Sequence, residues 1–272
     1  IVRGDIMKSL RCLAVFSTIV LFLVSACTNI IDPDDPFDNN RYRAESSFSF
    51  TIGAEDKSKL ELTSINGDIS VVGVENATDV VVAGRKVVKS DGEMDAEKYL
   101  KNLKVSIAES GNTLYVTSEQ PENTHGRGVL IHYEVRVPAG WATVIDNING
   151  NCDFDSLRGD IVGKLTNGNL FLGHTDASAY LRVTNGQIAG TVNVPQYGVL
   201  NAEVTSGQIA FNVPKTTSAK FTAKVTNGTV NVTGLSLDNM VGNQKEIHGT
   251  IGSGDGRIDL ETTNGNISVV GL

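Results

Sequence analysis

One short sequence recurs through the second half of the chain: an apolar residue, Thr, Asn, Gly, any residue, then another apolar residue. Complete copies begin at Leu165, Val183 and Val225; the copy from Val204 has Ser for Asn, and the copy from Thr262 lacks the first apolar residue. Weaker copies surround Gly67, Gly150 and Gly249. A motif used this often indicates a chain built from one small structural unit.

The spacing of the motif indicates what that unit is. From Gly150 onward the marker glycines are 18, 18, 21, 21, 21 and 16 residues apart. Between them lie stretches of alternating polarity rich in β-branched residues, such as 221–225, a pattern typical of half-buried strands. Each repeat is therefore predicted to hold two short strands and two turns.

Two all-β architectures fit this pattern. Asn-Gly between alternating strands is the strongest short-range hairpin signal, so an antiparallel meander is one possibility. The near-constant period instead favours a single-domain β-solenoid with rungs of 18–21 residues, because equivalent residues can stack at the strand spacing of about 4.8 Å. Only stacking explains why the turns are so alike, and we favour the solenoid.

The solenoid hypothesis assigns a structural role to the repeated turn residues. Glycine adopts backbone angles that are strained for other residues, and stacked Asn side chains can hydrogen-bond along a column. The residues predicted to form these turns are Asn66, Gly67, Asn149, Gly150, Asn167, Gly168, Asn185, Gly186, Gly207, Asn227, Gly228, Asn264 and Gly265.

The N-terminal segment has the features of a secretory signal. Lys8 and Arg11 form a basic region after a plausible start at Met7, and residues 13–26 carry no charge. That run is shorter than the roughly 20 residues that span a bilayer, so residues 1–26 are predicted to be a removed signal peptide. No role is assigned to residues 1–6.

The end of this segment resembles a bacterial lipobox, since Val24, Ser25 and Ala26 precede Cys27. The resemblance implies a covalent lipid on Cys27, which two or more acyl chains would make a stable membrane anchor. Thr28 in the sorting position favours the outer over the inner membrane, with the periplasmic and surface faces both open. Residues 27–45, acidic and poor in apolar residues, are predicted to be a flexible tether without a metal site.

Composition excludes several functions. The chain has a net charge of −8, and without residues 1–26 it keeps 20 basic and 30 acidic residues, a net charge of about −10. An acidic surface repels phosphate backbones, so nucleic-acid binding is not expected. Cys152 is the one cysteine beyond the anchor, which rules out an internal disulfide.

A family resemblance rests on residues 133–140, which read Tyr-Glu-Val-Arg-Val-Pro-Ala-Gly, and on the serial Asn-Gly repeats that follow. Together they resemble the putative-adhesin family DUF4097 and are similar to the head domains of related autotransporter adhesins, over roughly residues 58–272. The resemblance implies an adhesin-like role by analogy of fold, and it transfers no catalytic residues. Residues 46–140 would form a β-rich part with a helix near 95–103, and residues 141–272 the repeat solenoid.

The two ends of the repeat region nearly match, since residues 65–73 and 263–271 share most of their sequence. This indicates that rungs begin before the helix and that the segment around residues 89–128 is inserted into one continuous domain. Solenoid ends need a cap, and none is recognisable near Leu272. Either the upstream part of the chain or another subunit is expected to cover that end.

The sequence gives little support for an enzyme. Cys152 occupies an apolar repeat position and is predicted to be a buried hydrophobe. The four histidines, at 125, 132, 174 and 248, lack metal-ligand spacing, and His248 falls in the Asn position of its repeat. Asp153, Asp155 and Asp160 are a possible carboxylate set for glycoside hydrolysis, but they have the pattern of solvent-facing strand residues. We predict no catalytic residues, no metal and no cofactor besides the lipid.

The favoured function is therefore an adhesin-like, non-catalytic role for an envelope-anchored lipoprotein. The candidate contacts for a glycan or envelope protein are Tyr180, Tyr197 and Trp141. Each could equally belong to the core or form a cap, and for Trp141 we favour a cap of the stack. A periplasmic scaffold that binds a protein partner at an open sheet edge is the alternative, and a polysaccharide-degrading enzyme is the weakest hypothesis. Oligomers through the solenoid ends remain open.

Overall fold

The computed structural model describes residues 20–21, 40–120 and 123–272, which form 19 strands and one helix. The helix α1 spans Glu93–Leu100. The strands are β1 (Val20–Leu21), β2 (Tyr42–Gly53), β3 (Lys59–Asn66), β4 (Ile69–Val74), β5 (Asp79–Ser90), β6 (Lys104–Ser110), β7 (Thr113–Glu119), β8 (Gly128–Pro138), β9 (Ala142–Asn149), β10 (Cys152–Asp155), β11 (Ile161–Asp176), β12 (Ala179–Asn193), β13 (Val199–Val213), β14 (Ala219–Asn227), β15 (Val230–Thr233), β16 (Asp238–Gly242), β17 (Glu246–Ile251), β18 (Gly256–Asn264) and β19 (Ile267–Gly271).

The repeats form a parallel β-solenoid, which confirms the predicted all-β fold class. Each rung consists of a first strand, the Asn-Gly turn and a second strand, and in β11, β12 and β13 one continuous strand includes the turn. Neighbouring rungs pair in parallel and in register, so Asn167 lies beside Asn185 and Gly168 beside Gly186. The antiparallel meander is not the arrangement of these repeats.

The rungs do not stack in the order in which the chain presents them. The first five, in spatial order, are β3–β4, β9–β10, β11, β12 and β13. The sixth is β18–β19, the last repeat of the sequence, which pairs with β13 on one side and with β14–β15 on the other. The earlier repeat β14–β15 is therefore the seventh rung, and the last repeat lies inside the stack.

A hairpin adds two strands beyond the seventh rung to the sheet formed by the first strands of the rungs. β17 pairs antiparallel with β14, and β16 pairs antiparallel with β17. The repeat predicted around Gly249 is consequently wrong: His248 lies opposite Thr222 on an antiparallel strand and not in the Asn column. The physical reason is local, since β16 and β17 satisfy each other's backbone groups in a hairpin. The last repeat, for which no cap is recognisable in the sequence, is covered by β14 and β15 from earlier in the chain.

An antiparallel layer adjoins the first rung. β8 runs parallel to β4 and antiparallel to β5, which pairs with β2 along its whole length. β2 begins at Tyr42 and buries Ala44, so residues 42–45 of the predicted tether are strand instead. β7 flanks β3, with β6 as its antiparallel partner.

The predicted helix at 95–103 is shifted toward the N-terminus and ends at Leu100, although Leu103 is still buried. It contacts β2 and β5 through the buried side chains of Ala96, Tyr99 and Leu100. Asp95 accepts two hydrogen bonds of 2.6 Å from Arg127, whose guanidinium lies 4.7 Å above the Tyr99 ring. These contacts fix the helix to the loop before β8.

The hydrophobic core is one continuous cluster that fills the solenoid and extends to β2, β5 and α1. Alternate residues of each strand point inward, as the burial pattern of β14 shows. One interior column follows the turn glycines by two residues and contains Ile69, Cys152, Leu170, Ile188, Ile209, Ile267 and Val230. Cys152 is 1% exposed, as predicted for a buried hydrophobe, and burial raises its pKa to about 12.

The turn glycines form a second column with almost no space between rungs. Their φ angles lie between +124° and +153°, a region that residues with a side chain rarely adopt. A Cβ on Gly207 would lie 1.7 Å from the carbonyl oxygen of Gly186, and a Cβ on Gly265 would lie 1.6 Å from that of Gly207. Only glycine permits this approach.

The turn asparagines form a ladder beside the glycines. Asn149 donates to Asn66 at 2.7 Å, Asn167 to Asn149 at 2.8 Å, and Asn185 to Asn167 at 2.9 Å. Beyond Ser206 the ladder resumes where Asn227 donates to Asn264 at 2.9 Å. Each asparagine donates to the asparagine of the preceding rung in space. An asparagine at position 206, between Asn185 and Asn264, would therefore join the two parts of the ladder.

Gly207→Ala is expected to lower the free energy of unfolding by about 3 kcal/mol or more, since the φ of +143° is strained and the added Cβ overlaps a backbone carbonyl. Urea unfolding followed by circular dichroism measures the change. Gly53→Ala is the control, because a Cβ there meets nothing within 4 Å, and it should change stability by less than about 1 kcal/mol. Equal losses in the two variants would contradict the steric account.

Ser206→Asn is expected to raise the free energy of unfolding by about 1 kcal/mol, because the new side chain donates to Asn185 and accepts from Asn264. The corresponding rise in melting temperature is about 2–4 °C. Ser206→Asp, which has the same size but no donor for Asn185, is the control. A stabilisation shared by both variants would show that shape and not the ladder is responsible.

Candidate functional site

The outward side chains of the first strands create a flat surface, here called the first-strand face. At six residues before the turn glycine, Val162, Tyr180 and Asn201 lie side by side on adjacent rungs. At four residues before it, a charged column contains Asp146, Lys164, Arg182, Glu203, Glu261 and Lys224. The solenoid thus presents its variable residues at fixed spacings on a rigid support.

A cleft of about 620 Å³, here called the Tyr180 cleft, is centred on this face. The Tyr180 ring is 46% exposed, between Val162 on one neighbouring rung and Asn201 on the other. An aromatic ring with a polar surround is a suitable stacking surface for a ligand that is apolar on one face and polar at its edge.

Charged residues border the Tyr180 cleft. Arg182 forms an ion pair with Glu203 on the next rung, and Arg257 forms one with Asp259 on its own strand. Lys164 also lines the cleft and lies next to Arg182 in the charged column. Sequence reasoning identified Tyr180 but missed these residues. Lys164, Arg182 and Glu203 each lie four residues before a turn glycine, and this shared offset is a signal that could have found them.

A second cleft, of about 610 Å³, lies where β4 and β10 adjoin β5 and β8, and contains Asp68, His132 and Asp153. Burial raises the pKa of Asp153, with a further contribution from the charge of Asp68. Asp68 itself has a structural role, because it accepts the Asn151 N–H at 2.8 Å and begins a second ladder along the turns.

His132 is held as the neutral ring in this second cleft. Its Nδ1 lies 3.2 Å from the backbone nitrogen of Asp68 and 3.3 Å from the Asp68 carboxylate. The backbone N–H requires an unprotonated Nδ1 as acceptor, whereas the carboxylate requires a protonated Nδ1 as donor. Burial lowers the pKa of His132, which favours the neutral form. We therefore assign Nδ1 as the acceptor of the Asp68 N–H.

The predicted aromatic contacts have different environments. Tyr180 and Tyr197 are exposed as predicted, and Tyr197 lies at 74% exposure in the turn between β12 and β13. Trp141 is only 6% exposed, packs in the core and precedes β9 in an interior rung. The favoured prediction of Trp141 as a cap of the stack is therefore wrong, and the alternative that it belongs to the core is confirmed.

The three aspartates considered for glycoside hydrolysis have different environments and contacts. Asp155 accepts the His174 N–H at 3.0 Å and lies against Gly173, where the register of β11 shifts. The backbone carbonyl of Asp160 accepts the Thr143 N–H at 2.8 Å, while Asp153 belongs to the second cleft. Through these contacts Asp155 stabilises an irregular strand.

The histidines are dispersed over the molecule. His132 lies in the second cleft, His174 beside Asp155, and His248 beside Glu246 on β17. His125 is in a turn before β8 with a φ of 51°. Within the ranges that the structure describes, no group of three or more His, Cys, Asp or Glu side chains is arranged to hold a metal.

The predicted signal segment and Cys27 lie outside the described residues, apart from Val20 and Leu21, which pair with Thr51 and Phe50. No helix in the described part of the chain has the length and apolar character needed to cross a bilayer.

Comparisons with known proteins identify the fold. Residues 40–270 match the family model described as Toastrack DUF4097. A search of curated proteins finds no match.

Among solved structures, a putative cell adhesion protein from Clostridium sporogenes is 11% identical, with a TM-score of 0.42 over 84% of this chain and 100% of the other. A putative adhesin from Parabacteroides distasonis is 11% identical, with a TM-score of 0.28 over 83% and 97%. Another, from Bacteroides fragilis, is 10% identical, with a TM-score of 0.22 over 83% and 97%. These likenesses are too distant to assign a function to this chain.

His132→Asn is expected to reduce the pH dependence of stability. The folded pKa of His132 lies below its ordinary value of 6.5, so the unfolded chain takes up the proton first and wild-type stability falls as the pH drops below about 6.5. Asparagine keeps an acceptor for the Asp68 N–H but does not titrate. Urea unfolding at about pH 7 and about pH 5 measures the difference. His125→Asn is the control, and the same pH dependence in both variants would contradict the assignment.

Proposed function

The chain belongs to the DUF4097 (Toastrack) family, and on that basis we propose that it is a non-catalytic, adhesin-like protein that binds glycan chains at the cell envelope. The solenoid is the display scaffold, and the Tyr180 cleft is the binding site. A lipid on Cys27 is the proposed membrane anchor.

One observation supports the binding site above the others: a half-exposed tyrosine lines a cleft of about 620 Å³ on a regular sheet. A pyranose ring has an apolar face that stacks on an aromatic ring and hydroxyl groups at its edge that need polar partners. Asn201, Arg182 and Glu203 supply donors and acceptors around Tyr180. Because the in-register rungs hold these side chains, little ordering is required on binding.

The remaining polar groups support binding rather than catalysis. Asp155 is engaged by the His174 N–H, Asp68 by the Asn151 N–H, and the Cys152 thiol is buried with a pKa raised to about 12. A reactive thiol would need a lowered pKa and access to solvent. In the described part of the protein, these arrangements stabilise the fold.

The anchor is proposed from the lipobox-like residues 24–27. Between Cys27 and the start of β2 at Tyr42, a fully extended chain would span at most about 50 Å. That reach would hold the solenoid close to a membrane while leaving the first-strand face free to meet a ligand. The outer membrane is the proposed location.

A periplasmic scaffold is the second candidate, favoured by the exposed strand β16. Met240 and Val241 there are 57% and 69% exposed, and β17 pairs with one side of the strand. An added strand from a protein partner is a general way to use such an edge. Under this alternative the ligand would be an envelope protein and not a glycan.

Both proposals are tested in a diderm host that produces the wild type, Cys27→Ser and Tyr180→Ala. If the protein is a surface adhesin, the wild type carries a diacylglycerol by mass spectrometry, and protease added to whole cells removes the domain. Tyr180→Ala should remain folded and surface-exposed but lose most of its binding on a glycan array, since stacking on an aromatic ring is worth about 1 kcal/mol or more.

The outcomes separate the candidates. A lipidated protein that resists protease until the outer membrane is opened would exclude surface adhesion and favour the periplasmic scaffold. Wild-type and Tyr180→Ala proteins that bind the array equally would remove the Tyr180 cleft as the site. Turnover of any polysaccharide by the wild type would overturn the non-catalytic proposal.

A further inference from the structure

We propose that the Tyr180 cleft selects sugars that carry a carboxylate, with Lys164 and Arg182 as the recognising residues. This inference rests on the proposed glycan-binding function and specifies the chemical class of the ligand. The carboxylate-bearing residue would be a uronic acid within a polymer or a sialic acid at the end of a glycan, and the two sources share the same recognition chemistry.

The charge balance of the cleft differs from that of the whole protein. The chain has a net charge of −8, yet the cleft is lined by three cationic side chains and two anionic ones. Both anions are already paired, Glu203 with Arg182 and Asp259 with Arg257. The cleft therefore has one excess positive charge in an otherwise acidic protein.

Lys164 provides that excess charge. It is exposed, and among the described residues no carboxylate oxygen lies within 4.0 Å of its ammonium nitrogen. Asp146 is its neighbour on the adjacent rung, also exposed, and does not come within that distance. An ammonium group that is free to reach a ligand carboxylate costs no existing ion pair on binding.

The position of the cations relative to Tyr180 suits a pyranose acid. Lys164 and Arg182 lie on adjacent rungs, about 4.8 Å apart at the backbone. Tyr180 precedes Arg182 by two residues on the same strand, a distance of about 6.8 Å on the same face. A sugar ring stacked on Tyr180 would direct a substituent at its edge toward this pair. Arg182 keeps further N–H groups beyond those that contact Glu203.

Isothermal titration calorimetry with the purified domain tests the inference. The ligands are trigalacturonate and its trimethyl ester, and 3′-sialyllactose and its methyl ester; within each pair the sugars are the same, and the ester lacks the negative charge of the carboxylate. Wild type is expected to bind at least one acid about tenfold more tightly than its neutral counterpart, as a charge-assisted hydrogen bond allows. The pair that shows the preference identifies the source of the carboxylate.

Lys164→Gln should lower the affinity for the acid toward that for its neutral counterpart and leave the neutral affinity unchanged. Lys224→Gln is the control, because it removes one positive charge from the same column of the first-strand face but lies outside the cleft. Circular dichroism of both variants establishes that the fold is retained.

Two contrary results have different meanings. Equal affinity for acid and neutral sugars, abolished by Tyr180→Ala, would overturn the carboxylate preference and leave the glycan-binding function standing. An equal loss of acid binding in Lys164→Gln and Lys224→Gln would also overturn it, since net charge and not the cleft would be responsible. No binding to any of the four ligands or to a glycan array would overturn both the inference and the proposed function.

Discussion

Close contact between the backbones of neighbouring turns determines the rest of this structure. At each Asn-Gly turn the glycine Cα faces the carbonyl of the neighbouring rung at a separation that leaves no room for a side chain. This contact fixes the height of one rung above the next and so brings the asparagines within hydrogen-bonding distance of each other. It also aligns the interior column that contains Leu170 and Ile188, and the core closes around that alignment.

Much of this arrangement is recoverable from the sequence, because the turn residues repeat and their chemistry is restrictive. Glycine at a left-handed φ and asparagine beside it have few alternatives, so the repeat predicts the rungs, the interior position of Cys152 and the outward position of Tyr180. The order of the rungs is not recoverable in the same way. The repeats around Gly228 and Gly265 are nearly alike, and neither sequence indicates which rung lies next to it. The hairpin of β16 and β17 lies between them in the chain and pairs with the free side of β14, so that β18 lies on the other side, next to β13.

The candidate site was only half predictable for a related reason. Outward positions experience no steric restriction from the stack, so the residue types there vary from rung to rung and only their offset from the turn glycine repeats. Tyr180 stands out as an exposed aromatic, whereas Lys164, Arg182 and Glu203 acquire meaning only once the register places them side by side. Trp141 illustrates the opposite error, since a large aromatic after a turn favours a cap in the sequence but fills the core.

The exchanged position of the last repeat has a consequence for biosynthesis. Rungs one to five can assemble as the chain emerges, each adding to the edge left by the one before. The repeat 219–233 cannot follow them, because its partner 256–271 has not yet been made. While the chain emerges N-terminus first, the edge of β13 stays unpaired until a segment more than forty residues downstream arrives. The repeat 256–271 then enters between two others, so that completion of the stack depends on the repeat that emerges after all the others described.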